Sequence, residues 1–157
     1  VGSEMCIRDR NYGAHRFDRI REGVRASLIQ LESVNVLMCA AMLLARRAVV
    51  SLFIDAPTEA VISYAGGYLT VVAPFYVVLG LLVVYRSTVQ SMGNSTAPFL
   101  ACVVELVMRI SGALGLARVL VGYTGVCFSS PLAWIGATAL LIPFYRREMR
   151  KGKNIAA

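Results

Sequence analysis

Apolar residues gather into four long stretches, about 27–54, 68–92, 98–120 and 125–145, separated by short links rich in Gly, Pro, Asn and Thr. A bilayer core of about 30 Å is crossed by about 20 mostly apolar residues of helix. The last three stretches meet that length cleanly, and the first meets it with polar interruptions at Gln30, Glu32 and Asn35. None alternates with the period of two that a barrel strand needs, and backbone in lipid must bond internally, so the pattern predicts helices. The expected fold is an all-α membrane protein with four transmembrane helices.

The links carry their own signals. Asp55-Ala56-Pro57-Thr58-Glu59 reads as a helix start, with Asp or Thr as cap and acid at the positive helix end, and predicts a short interfacial helix before Gly66-Gly67. Gly93-Asn94-Ser95-Thr96-Ala97-Pro98 reads as a tight turn, with Gly closing one helix and Pro opening the next, and Gly122-Tyr123-Thr124-Gly125 repeats that role.

Composition sharpens the class. Hydrophobic residues make up 57% of the chain and charged residues 16%, against about 25% charge in an ordinary soluble domain. The net charge of +7 lies at the chain ends and beside the predicted helix ends, not on one soluble face, which favours a bilayer and not nucleic acid as partner. Four spans put both ends on one side. Arg16, Arg19, Arg21, Arg25 and Arg86 fall there, with Arg146, Arg147, Arg150, Lys151 and Lys153. Arg46, Arg47 and Arg118 fall opposite, with Asp55 and Glu59, so the positive-inside rule predicts cytoplasmic ends. Arg46 and Arg47 run against that bias, close enough to a span end to snorkel.

Val1–Asp9 reads VGSEMCIRD and resembles the translation of a transposon-type sequencing adapter, with Arg10 at the junction. On that reading residues 1–10 are a scar to be left out of fold reasoning, 11–147 are the membrane unit and 148–157 a cytoplasmic tail.

Motif searching removes several chemistries. Cys39, Cys102 and Cys127 fall one per span without a C-x-x-C, so they read as small apolar residues, and no metal site is expected. The single histidine, His15, lies in a basic loop. No P-loop, dinucleotide fingerprint or G-x-S-x-G motif is present, so neither an enzyme nor a cofactor is expected.

Asn11-Tyr12-Gly13-Ala14-His15-Arg16-Phe17-Asp18-Arg19 followed by Gly23 resembles the N-x-G-A-G-x-x-x-R…G segment of multidrug and toxic compound extrusion (MATE) transporters. Tyr68-Leu69 to Ala73-Pro74-Phe75, with Arg86, Gly93 and Pro98, resembles that family's tenth helix and its turn. Glu105-Leu106-Val107-Met108-Arg109 resembles the E-x-x-x-R of the eleventh, and Gly122…Gly125-Val126…Pro131…Trp134 the G-x-x-G-V…P-x-x-W of the twelfth. The resemblance implies the last four helices of a twelve-helix antiporter, in the bacterial inner (cell) membrane. Such an antiporter exports cationic or amphiphilic compounds in exchange for H+ or Na+. Two departures stand out: His15 occupies a position that is usually Gly, and 68–92 contains no Asp or Glu, where one branch of the family has a cation-binding carboxylate.

Glu105 and Arg109 are the sharpest candidates for chemistry. Four residues apart, they share a helix face with the acid first, and an unpaired charge in mid-membrane costs several kcal/mol. They line the cavity or take part in gating, or else they form a structural ion pair or a link to another helix through Arg86. Pro74 and Pro131 are hinge candidates or static bends. Gln30, Glu32 and Asn35 line a wet path or bond between helices. Phe75, Tyr76, Met92, Phe99 and Met108 form an adaptable ligand surface or simply pack. Two further readings stay open: a lipid-linked oligosaccharide flippase of the same superfamily, and a non-transporting four-helix membrane protein.

Overall fold

The computed structural model describes residues 2–53, 58–119 and 123–155, and all of its regular structure there is helical. In chain order these are α1 (Gly2–Gly13), α2 (Phe17–Leu44), α3 (Arg46–Phe53), α4 (Glu59–Val72), a single 3₁₀ turn at Ala73–Phe75, α5 (Tyr76–Ser91), α6 (Thr96–Val119), α7 (Tyr123–Cys127) and α8 (Ser129–Ile155). Four stretches are long and apolar enough to cross a bilayer: Phe17–Leu44, Glu59–Ser91, Thr96–Gly115 and Gly125–Lys151. The fold is that of an all-α membrane protein.

The first span begins ten residues before the predicted one. The arginine-rich start of α2 is amphipathic: Phe17, Ile20 and Val24, each about one helical turn from the next, are buried against Val84 while Arg19, Arg21 and Arg25 face outward. The span also ends early, at Leu44, where Ala45 caps α2 by donating to Ala41 O; two adjacent guanidiniums at Arg46 and Arg47 follow and cannot continue into hydrocarbon. The expected short interfacial helix before Gly66-Gly67 does not form. Instead α4 runs unbroken from Glu59 through both glycines to Val72, because backbone in an apolar layer keeps its hydrogen bonds within the helix. Thr58 has the extended backbone of a cap but its side chain makes no capping bond, and Asp55 lies outside the described residues.

Between α5 and α6 the expected turn is present. Gly93 takes φ +81, and Asn94 Oδ1 accepts the Ala97 N–H at 3.1 Å, satisfying an otherwise orphaned donor at the start of α6. The second turn signal falls partly on residues 120–122, outside the described residues.

α6 and α8 form the most extensive helix pair. Ala97 and Ala101 on α6 and Ala133 and Ala137 on α8 are all fully buried, and Leu82, Val89, Trp134 and Leu141 join Ala97, Ala101 and Ala137 in the core. Small residues let the backbones approach, which is how helices associate where lipid removes the hydrophobic drive. Gly136 extends the same stripe: a Cβ there would meet Met108 Cε and Cγ at 3.2 Å. The opposite faces are apolar and exposed, as lipid contact requires: Leu37 and Leu44 on α2, and Phe99, Leu106, Val107 and Leu114 on α6.

Polar contacts sort the bundle into two ends. At one, the start of α2 packs against Tyr145 and Met149 of α8, and Asn94 Nδ2 donates to Glu148 Oε1 at 3.2 Å. There α1 docks through Arg8, which donates to Ser27 and Ser87. At the other, Tyr123 donates to Tyr64 O at 3.0 Å, and Arg47 stands 3.8 Å from Glu59, too exposed a pair to contribute much. Both ends of the described chain therefore lie together. α8 also runs on as helix to Ile155, ten residues past the predicted span end.

His15, in the α1–α2 link, takes φ +54, a left-handed conformation that glycine adopts without cost and other residues do not. His15→Gly is expected to stabilise the protein by about 1 kcal/mol, read as a thermal midpoint a few degrees higher in detergent.

Candidate functional site

Three charged side chains from two helices meet between α5 and α6. Arg109 Nη2 donates to Glu105 Oε1 at 2.7 Å, the one-turn pair expected from the spacing, and Arg86 Nη2 reaches across from α5 to donate to Glu105 Oε2 at 2.9 Å. The Glu105 side chain is 17% exposed, Arg86 29% and Arg109 46%. Both carboxylate oxygens are thus engaged by guanidiniums in short, charge-assisted bonds. Arg86 Nε is buried without a hydrogen-bond partner among the described residues. With two positive groups and one negative, the trio keeps an excess positive charge, so Glu105 as placed here is a compensated cross-link and not a free acid held out to a cation.

A second polar contact joins α2 to α5. Asn35 Nδ2 donates to Tyr76 O at 3.1 Å and lies 3.5 Å from Glu32 Oε2. The two side chains occupy a notch that exists only because residue 80 is glycine. A Cβ there would overlap Glu32 Oε1 and come within 2.6 Å of Asn35 Nδ2. Glu32 Oε1 is buried with no hydrogen-bond partner among the described residues. Gln30, by contrast, is exposed and lines a shallow groove with Ser27 and Ser87.

The prolines separate. Pro74 lies in the 3₁₀ turn joining α4 to α5, where its missing N–H breaks the helical ladder. Pro131 is the third residue of α8, in the first turn, where no intrahelical bond is lost; the proline inside that helix is Pro143. Pro143→Ala should restore a bond to Ala139 O and gain on the order of 1 kcal/mol, while Pro131→Ala should stay within about 0.5 kcal/mol, both read from thermal unfolding midpoints.

The proposed adaptable surface is not assembled. Met92 is buried, Met108 packs under Gly136, Phe75 stacks edge-on against Phe128 and Tyr76 lies against Trp134; Phe99 alone points outward. The cysteines are free, and the described residues hold no cluster of three or more metal-ligating side chains.

Four bilayer-length helices, with ionisable side chains paired between them, define a polytopic helical membrane protein. Residues 9–114 match the MatE family model, more than half of the chain, and the protein belongs to that family of membrane transporters. Neither a curated protein nor a solved structure matches it. The match runs from the end of α1 into α6, stopping at residue 114, so the likeness of α7 and α8 to the family rests on the G-x-x-G-V…P-x-x-W residues alone.

Proposed function

We propose that the chain is four helices of the C-terminal lobe of a twelve-helix secondary antiporter, which exports cationic or amphiphilic compounds against H+ or Na+ in the bacterial inner membrane with these ends cytoplasmic. The observation that carries the reading is the Arg86–Glu105–Arg109 cross-link, set between two bilayer-length helices within the matched region. In this reading Glu105 and Arg109 gate: α5 and α6 move together while Glu105 holds Arg86, and parting that pair lets them shift. Pro74, at the joint of the second span, is the hinge. Pro131, in a first turn, is assigned no bending role.

The test is gradient-dependent dye efflux from cells expressing the full-length gene. Glu105→Gln should cut efflux at least tenfold at unchanged membrane level; full efflux in a well-expressed variant removes Glu105 from the mechanism. The excess positive charge of the trio favours one second reading, a flippase for anionic lipid-linked oligosaccharide. On that reading the dye assay stays flat in the parent and Arg86→Gln abolishes lipid-linked sugar transfer.

A further inference from the structure

We propose a binding site for one anionic glycerophospholipid in the groove between the start of α2 and the end of α8. The groove encloses about 350 Å³. Its floor is apolar, made by Phe17 with Tyr145 and Met149, and its rim is cationic, made by Arg21 on α2 with Arg146 and Arg150 on α8. Asp18 is the acid among its lining residues. A neighbouring groove of about 440 Å³ shares Arg146 and Arg150 and adds Arg147 and Lys151.

Three facts single out a lipid. First, charge is concentrated and uncompensated: segments 16–25 and 146–151 carry eight basic residues against three acidic ones. Of these acids Glu148 is occupied by Lys151 and Asn94, and among the described residues no carboxylate stands within 4 Å of Arg21, Arg146 or Arg150. Second, the depth is right. Tyr145 pairs with Tyr85 at 5.2 Å between ring centres near the end of two apolar spans, the level at which aromatic side chains mark the headgroup layer. Third, rim and floor ask for different parts of one molecule. Guanidiniums fit phosphate oxygens in pairs, while Phe17, Tyr145 and Met149 fit the glycerol and first acyl methylenes. A soluble anion would satisfy the rim and leave the floor wet; a neutral lipid would do the reverse. Basic pockets between membrane helices at the headgroup level hold anionic lipids by this combination.

The probe is phosphatidylglycerol, titrated in phosphatidylcholine mixed micelles onto the delipidated full-length gene product, with retained lipid counted by native mass spectrometry. One phosphatidylglycerol should be kept in preference to phosphatidylcholine. The Arg21→Gln/Arg146→Gln/Arg150→Gln triple variant should weaken retention roughly 100-fold, from three basic contacts. The triple Arg16→Gln/Arg19→Gln/Arg25→Gln, equal in charge removed but outside the groove lining, should weaken it less than fivefold. Met149→Trp, which fills the floor at constant charge, should weaken it at least tenfold and decides the matter if the first triple fails to fold. Equal losses from both triples, no effect of Met149→Trp, or displacement of the lipid by millimolar inorganic phosphate would each overturn the proposal.

Discussion

Gly80→Val is expected to destabilise the protein by about 2–4 kcal/mol, because Gly80 is buried and its open side is filled by Glu32 and Asn35. The added Cβ alone would overlap Glu32 Oε1 and stand 2.6 Å from Asn35 Nδ2, so both side chains must shift from the notch. Overpacking costs about 1–3 kcal/mol, and loss of the Asn35 bond to Tyr76 O adds about 1 more, with further cost for re-siting a carboxylate in an apolar layer. The cause is specific, so it has a specific remedy. Glu32→Ala empties most of the notch, and Gly80→Val should cost less than half as much in that background. Thermal unfolding of the four proteins of this cycle, in one detergent, measures it. Additive losses would mean that Gly80 matters for some reason other than its contact with Glu32.

The second large effect is expected at Glu105. Glu105→Leu strands two guanidiniums, one of them mostly buried, and should cost about 3–5 kcal/mol. Arg109→Leu should cost about 1 kcal/mol or less: Arg109 is 46% exposed, and Glu105 keeps its bond to Arg86. Replacing the inner pair together, Arg86→Met with Glu105→Leu, should recover most of the single loss, since apolar substitutes of like size often match a buried ion pair. A unfolding-midpoint series would sink this account if Arg109→Leu proved as damaging as Glu105→Leu, or if the double variant lost the sum of its parts.

Much of the architecture was legible because lipid imposes one simple demand on sequence. Runs of about 20 mostly apolar residues, with few charges, had to become helices, and all four do. What hydropathy could not place was the start of α2, where arginines mask an apolar face of three residues visible only at helical spacing. Turn chemistry misled at Gly66-Gly67, a strong breaker in water but not where the backbone has no water to bond, and the interfacial helix expected there is absent. At the candidate site, spacing alone gave the Glu105–Arg109 pair, because one turn of helix fixes it. The link to Arg86, 19 residues away, stood in the sequence only as one alternative, because tertiary packing decides that α5 lies beside that face of α6. The Gly80 notch left no mark in sequence beyond a lone glycine in an apolar run. Pro131 and Pro143 show the same limit: position within the helix, not residue type, decides which one interrupts the ladder.

The reading of the gene immediately upstream of the Asn11 codon tests the antiporter-lobe proposal most directly. The frame is expected to continue through about eight further apolar spans, each long enough to cross the bilayer, with membrane carboxylates among them to carry the coupling ion. A start codon at that point, with nothing of the kind before it, would contradict the twelve-helix account and leave a four-span MatE protein needing a partner to enclose a path.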